Sequence, residues 1–435
     1  MLDGLRIVIP FKASVVVGGA AYASTAEAME DNSVGLLRDI LAYTTDGLPM
    51  QAKSVHRDTD GKLIVDNLSH PFESLPTSYT GIAIKLCNDG LQWPCVAMKA
   101  SPAKIMQGHN VFGSVDIEQA FIEFLGSLAE IYPDLYADLE ISLTMVTSMD
   151  ITYSSRYLPI GSPKEIDLGH ELINFLRPVS AGHLKASSVF YQTSVYWNKE
   201  SDLGGVKAYL KFDEFMTQLK EAKAMQRRGD PAANRLLEVM QDERLQAWSS
   251  YLLRLEVTVK KDWLRRHNLP FNIFELIKLQ KTAAKDGRCF LKEIWAERTA
   301  PLFAACEGMT MKIVDDEHIE REIRRVHVRY TRTGKLSYSH ANMLMDFYRS
   351  IKDYGFDLTK KRYYESESGR RLFYRRLTDL SQVGISKAYL QTFGLNTKPS
   401  NVVPVLRFIN IDFSSQHPDW YVPPVSRFSS SLKVA

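Results

Sequence analysis

Four stretches of this chain alternate polar and apolar residues with the period of a β-strand. Ser148, Asp150, Thr152 and Ser154 alternate with Thr147, Met149, Ile151 and Tyr153, and Gln192, Ser194, Tyr196 and Asn198 with Tyr191, Thr193, Val195 and Trp197. Lys207, Tyr209 and Lys211 alternate with Val206, Ala208, Leu210 and Phe212, and Arg254, Glu256, Thr258 and Lys260 with Leu253, Leu255, Val257 and Val259. Successive strand side chains point to opposite faces, so these stretches predict a sheet with one covered face and one polar, open face. Apolar runs at 5–11, 62–65, 81–86 and 95–99 predict further strands. Helical spacing recurs at 117–132, where Asp116 can cap, at 167–176, at 213–241 with a break near Gly229-Asp-Pro231, and through 271–306. The polar loop 199–205 predicts a hairpin. This order gives an α+β fold, a largely antiparallel open sheet with helices on one face.

A chain of 435 residues, 45% hydrophobic and 24% charged, is an ordinary globular composition long enough for two or three domains. The net charge of +3 is unevenly placed: residues 311–435 hold 21 Lys and Arg against 13 Asp and Glu, a net +8, and the first 310 hold 33 against 38, a net −5. Boundaries near 265 and 311 therefore divide the chain into a domain 1–265, a helical connector 266–310 and a basic α/β domain 311–435 that suits a polyanion. Cys87, Cys95, Cys289 and Cys306 have no paired CxxC spacing, which argues against structural zinc and for reduced cytoplasmic thiols. No basic segment precedes the small apolar residues 15–21, so no signal peptide is expected. No apolar run reaches membrane-spanning length.

The polar strand faces carry candidate phosphodiester chemistry. Tyr209 lies between Lys207 and Lys211, and ammonium groups favour a phenolate nucleophile; the alternative is a tyrosine that packs across strands. Asp150 and Glu256 are carboxylates in strands, where such residues are depleted. They suit Mg²⁺, with His109 as a third ligand, or they pair with Arg254 or a lysine; Arg254, on the same strand face, is also a candidate DNA contact. No His-x-His pair occurs. In the tail, Arg321, Arg324, Arg325, Arg329, Arg332 and Lys335 form one cationic cluster. Lys360, Lys361, Arg362, Arg370, Arg371, Arg375 and Arg376 form another, interleaved with Tyr363, Tyr364, Phe373 and Tyr374. Cations neutralise phosphates and aromatics stack on bases, so both fit nucleic acid.

Three segments go further: Leu68-Ser-His-Pro-Phe-Glu-Ser-Leu-Pro-Thr77, Pro94-Cys-Val-Ala-Met-Lys-Ala-Ser-Pro-Ala-Lys-Ile-Met-Gln-Gly-His-Asn-Val-Phe-Gly113 and Asn401-Val-Val-Pro-Val-Leu-Arg-Phe-Ile-Asn-Ile-Asp-Phe-Ser-Ser-Gln-His-Pro-Asp-Trp-Tyr421. With them the chain strongly resembles the replication initiators of filamentous bacteriophages, the gene II proteins, over nearly its whole length. The resemblance implies a Mg²⁺-dependent enzyme of the host bacterial cytoplasm. Such an enzyme binds the origin in the double-stranded replicative form, nicks the viral strand to leave a 3′-hydroxyl, and later rejoins the displaced single strand into a circle. Host helicase and polymerase, and self-association on DNA, are the implied partners. It also implies an internal start at Met311, giving the family's shorter gene X product. The strands of Asp150, Tyr209 and Glu256 look similar to the open-sheet nuclease fold of a group of plasmid initiators. No diagnostic motif carries the nucleophile over; Tyr209 is the first candidate and Tyr196, across the hairpin, the second. Two other readings stay open: a non-enzymatic origin-binding regulator, and nicking by metal-activated water.

Overall fold

The computed structural model describes residues 1–44, 47–49, 51–57, 63–69, 73–160, 168–177, 179–180, 183–187, 189, 191–309, 316–331, 333–383, 385, 390, 409 and 411–431. Its strands of four residues or more are β1 (Leu2–Pro10), β2 (Gln51–Arg57), β3 (Leu63–Ser69), β4 (Glu73–Pro76), β5 (Gly81–Cys87), β6 (Cys95–Ala100), β7 (Met145–Arg156), β8 (Ser194–Trp197), β9 (Val206–Leu210) and β10 (Leu252–Lys260). β2 and β3 form a separate hairpin. The other eight make one open sheet in the order β4-β5-β6-β1-β7-β10-β9-β8, antiparallel at every pairing. The fold is α+β, as the patterns predict.

The apolar face buries Ile7, Ile151, Val195, Leu255 and Val257. Three helices cover it. In Ile117–Ile131 the residues Ile117, Ala120, Phe121, Phe124 and Leu128 recur at spacings of three and four and are buried; Asp116 caps by accepting from the Gln119 amide at 3.1 Å. Asn272 caps Ile273–Lys285 in the same way. Trp295 of Phe290–Met309 donates its indole N–H to the Leu255 carbonyl at 3.0 Å, fixing that helix to β10. Leu276, Leu291, Ile294 and Leu302 join the same core, so residues 266–306 pack with the sheet.

The polar face is less open than alternation suggests. The helix Lys211–Arg227 starts directly at the end of β9, and with Pro231–Met240 and the loop 108–113 it buries a smaller cluster of Val111, Phe112, Phe215, Leu219 and Leu237 against Leu252. Alternation reports only which way a side chain points; it carries no information about what later packs above it.

A second core, with Ile319, Ile323, Leu344, Phe347, Phe373 and Leu377, belongs to the helices Asp316–His327, Ser339–Tyr354, Phe356–Tyr363 and Glu367–Ser381. Residues 411–428 then return to the sheet unit, where the buried Glu123 carboxylate accepts from Ser426 Oγ at 2.7 Å and Arg427 Nε at 3.2 Å. Met311 and Arg332 lie outside the described residues. Among the described residues no helix is long and apolar enough to cross a membrane.

One glycine is required by the sheet. Gly4 of β1 stands opposite Asp150 of β7, and a Cβ there would come within 2.2 Å of Asp150 Oδ2. The carboxylate thus lies over the β1 backbone, in space that only glycine leaves. Gly4→Ala is expected to cost about 1–3 kcal/mol of stability, and much less in an Asp150→Ala background. Denaturant unfolding of the single and double variants measures the coupling; equal losses in both backgrounds would refute the contact.

Candidate functional site

Strand register arranges the polar face in rows. Tyr196 of β8 faces Lys207 of β9, Lys207 faces Glu256 of β10, and Glu256 faces Thr152 of β7. Ser194, Tyr209, Arg254 and Ser154 form the next row. Thr258, Asp150 and Gly4 form a third. Asp150, Tyr209 and Glu256 therefore share one face, and Asp150 and Glu256 are diagonal neighbours, roughly 7–8 Å apart at the backbone for such pairs.

The first row is the accessible one: Tyr196, Lys207 and Glu256 are only partly buried. The Lys207 ammonium lies 5.5 Å from the Tyr196 ring centroid. The exposed Lys199 ammonium is 5.2 Å from the same ring. Burial alone would lower the Lys207 ammonium, but the Glu256 carboxylate and the Tyr196 phenol outweigh it and hold it above its ordinary value. Burial pushes the Glu256 carboxyl up to about 7, against the pull of Lys207 and with help from Asp150 and Asp3. Asp150 is pushed up by the same desolvation, although Thr258 Oγ1 donates to its Oδ1 at 2.6 Å.

The second row is closed. Arg254 is 1% exposed. Its guanidinium donates to Ser154 Oγ at 3.1 Å and to the carbonyls of Asn110 and Val111, and stands 3.9 Å from the Asp3 carboxylate. Tyr209 stands directly opposite it across the β9–β10 pairing. Arg254 is therefore an internal clamp, and the expectation that it grips DNA is corrected: no face of it is left for a phosphate. Tyr209 is 4% exposed, and burial raises its phenol well above the ordinary range, the opposite of what a nucleophile needs. Lys207 packs on its ring, 4.1 Å from the centroid.

Two further expectations are corrected. Lys211 does not continue the strand face; it is the first residue of Lys211–Arg227, fully buried, donating to Asn110 Oδ1 at 2.7 Å and paired with Glu214. Burial lowers its ammonium to about 8. Asp213 and Glu214 favour a helix start there, because carboxylates stabilise a helix N-terminus. His109 does not join Asp150 and Glu256. Its ring accepts from the Val111 amide at 3.3 Å, packs on Phe112 at 4.7 Å, and borders a different cavity with Tyr79, Arg235 and Trp420. Burial, with Lys211 and Arg254 nearby, lowers it to about 3, so it stays neutral. Among the described residues no group of three His, Cys, Asp or Glu side chains could hold a metal ion. Two carboxylates remain for Mg²⁺, which commonly takes one or two plus water and substrate phosphate; the Asp150–Glu256 pair fits that demand.

Asp3 and Asn110 were missed. Leu2 pairs with Ile151 and Gly4 with Asp150, so Asp3 sits at a register shift, a bulge that turns its carboxylate toward Ser101 at 3.2 Å and Asn110 at 2.8 Å. A bulge breaks the alternation that would have revealed it.

In the C-terminal unit Arg321, Arg324, Arg325, Arg329, Lys361, Arg362, Arg370, Arg371 and Arg375 are exposed, and Lys360 and Arg376 partly so. Arg324, Arg325 and Arg371 pair with Glu320, Glu322 and Glu367 on their own helices. Lys360 and Arg370 flank the Tyr364 ring, each 5.3 Å from its centroid, and Arg362 lies 4.3 Å over Tyr354.

Residues 1–282 match the family model that describes the N-terminal part of the phage replication-associated protein, the gene II product, and residues 330–427 match the model of its C-terminal part. The chain belongs to this family of replication-associated proteins. It is 34% identical, over 100% of its own length, to the replication-associated protein of Salmonella phage IKe, covering 99% of that protein, and 34% identical to that of Enterobacteria phage M13, covering both chains in full.

The Glu256 shift sets a pH dependence. Its carboxyl titrates near 7 in the folded chain and near 4.5 when unfolded, so the unfolded chain loses its proton first. Stability from this group is therefore present below about pH 4.5, falls toward pH 7, and stays low above it. Glu256→Gln is expected to flatten that decline in denaturant midpoints measured across this range; an unaltered slope would contradict the assignment.

Proposed function

We propose that the chain initiates rolling-circle replication of a phage genome by nicking the viral strand at the origin of the double-stranded form through Tyr196. The observation that carries this reading is the partly exposed Tyr196, which stands opposite Lys207, its ring centroid 5.5 Å from the Lys207 ammonium, in one row with Glu256. Membership of a phage replication family supports it. Tyr196 takes the role expected first of Tyr209, because Tyr209 is buried beneath Lys207 and beside Arg254.

The phenolic oxygen attacks the scissile phosphorus, and Lys207 stabilises the phenolate as the proton leaves for solvent. The bond to the 3′-oxygen breaks, and that oxygen takes a proton to become the 3′-hydroxyl primer. The 5′ phosphate remains on Tyr196 as a phosphotyrosyl ester. Such an ester keeps the energy of the broken bond, so attack by a new 3′-hydroxyl rejoins the displaced strand and frees the phenol. Bound at Asp150 and Glu256, Mg²⁺ would supply charge neutralisation on the phosphate. Host polymerase and helicase would extend and unwind the nicked form in the bacterial cytoplasm. The exposed cations of the C-terminal helices supply duplex affinity.

Incubation with supercoiled origin DNA and Mg²⁺ tests the assignment. Wild type is expected to give open circles and protein attached to the 5′ end after denaturation. Tyr196→Phe is expected to lose both by about 10³-fold or more, while Tyr209→Phe keeps the covalent adduct. Nicking without attached protein would favour metal-activated water, and binding without nicking at any Mg²⁺ concentration a non-enzymatic regulator.

The tail makes a separate prediction. Removing Lys361 or Arg375 is expected to weaken duplex binding uniformly across sequences and to reduce the slope of log affinity against log salt by about 0.9 for each lost phosphate contact. Titrations at several salt concentrations measure it; an unchanged slope would place the duplex elsewhere.

A further inference from the structure

Two of the three segments that carry the family resemblance meet in space. Loop 108–113 and the segment 412–421 are about three hundred residues apart in sequence, yet His417 donates its Nε2–H to the Gly113 carbonyl at 3.0 Å. Phe112 lies edge-on to Trp420 and to Tyr421, each at 5.2 Å, and His417 stacks on Tyr421 at 4.4 Å and 7°. Gln416 extends the β7 ladder where β1 runs out: its Oε1 accepts from the Ser154 amide and its Nε2 donates to the Ser154 carbonyl, both at 2.9 Å.

Between this strap and the sheet lies a cavity of about 250 Å³. Its floor is the polar face itself, Thr152, Ser154 and Arg254, and Trp248, Phe112 and His417 line it as well. Thr152 stands directly opposite Glu256, so the cavity opens beside the proposed nicking row. The Arg156 guanidinium lies 4.7 Å over the Trp248 ring and donates to the carbonyls of Ser250 and Trp248 at 2.7 and 2.9 Å, which fixes that indole.

We propose that this cavity receives one unstacked nucleobase of the single strand flanking the nick, held on Trp248 and Phe112 and closed in by the strap at Gln416 and His417. The inference rests on the nicking role proposed above. The occupant follows from the chemistry of the walls. Aromatic faces favour a flat π-system, and the positive charge of the Arg156 guanidinium at the rim favours a ligand attached to phosphate. The volume admits one ring system and falls below that of pockets for drug-sized ligands. The hydrogen-bonding groups of Gln416 are spent on Ser154 and on the Asp412 carbonyl, where Nε2 donates at 2.6 Å. Gln416 therefore closes the cavity as a wall and does not read the edge of the base. Its role is to splay the strand beside the scissile phosphate, and strand opening is needed before a fixed phenol can reach it.

The test uses the full chain and single-stranded origin oligonucleotides in which one abasic nucleotide is stepped along the strand, with binding read by fluorescence anisotropy. Wild type is expected to lose about tenfold or more in affinity at one position, and Trp248→Ala and Gln416→Ala to lose less than about twofold there. Circular dichroism of both variants separates a lost pocket from a lost fold, and Gln416→Ala, at the exposed strap, serves if Trp248→Ala does not fold. A flat profile in wild type, or the same profile in a folded variant, overturns the inference. Nicking of supercoiled origin DNA in parallel reads the role on which it rests: nicking with a flat profile removes the pocket alone, and a stepped profile without nicking removes the enzyme reading alone.

Discussion

The buried Arg254 guanidinium is the interaction on which the arrangement of the polar face depends. A charge taken out of water costs several kcal/mol unless it is paired and its donors are satisfied. Here Ser154, two carbonyls of loop 108–113 and the Asp3 carboxylate share that task. Each partner is thereby fixed. The loop is drawn onto β10, which places Phe112 where the C-terminal aromatics meet it. The β1 bulge is held by Asp3, which brings Gly4 beneath Asp150. Tyr209, directly opposite, is withdrawn from solvent. Loss of Asp3 leaves the buried charge without its counter-ion, and loss of any other partner leaves a buried donor unsatisfied.

Beside that closed row, the open row derives its chemistry from competition between burial and charge. Asp150 and Glu256 repel each other and are partly desolvated, and both are held above the usual carboxylate range. Lys207 between them and Tyr196 is held charged by the same field. A dication held by the two carboxylates and a phosphodiester beside Lys207, as proposed above, would complete the charge balance that the side chains leave open. Among the described residues the row holds no proton acceptor matched to a phenol, so activation rests on the neighbouring ammonium, with solvent at the sheet edge taking the proton.

Alternation made the strands and the shared face legible in the sequence. It placed Asp150, Lys207, Tyr209, Arg254 and Glu256 on one side because register in an antiparallel sheet preserves parity from strand to strand. It failed wherever the third dimension decides. Lys211 keeps the parity of Lys207 and Tyr209, yet the chain turns helical at that residue. His109 has the turn-rich neighbours of a ligand loop, yet the loop is folded inward by Arg254. Asp3 follows a bulge and has no parity to read. The difference between Tyr196 and Tyr209, an edge strand against a strand beneath a helix and a clamp, is one of burial, which a periodicity of two cannot encode.

The strap also changes how the two halves work together. The helical unit with its own core, built on Ile323, Phe347 and Phe373, is preceded by Phe290–Met309 and followed by residues 411–428, and both of these pack on the sheet unit. A cationic module tethered at both ends has less freedom than one on a single linker, so its effective concentration near the sheet is higher. The second tether is also a wall of the cavity. On that tether Gln416 and His417 reach the sheet unit through hydrogen bonds to Ser154 and Gly113, so the segment that follows the basic helices in sequence touches the polar face beside Glu256.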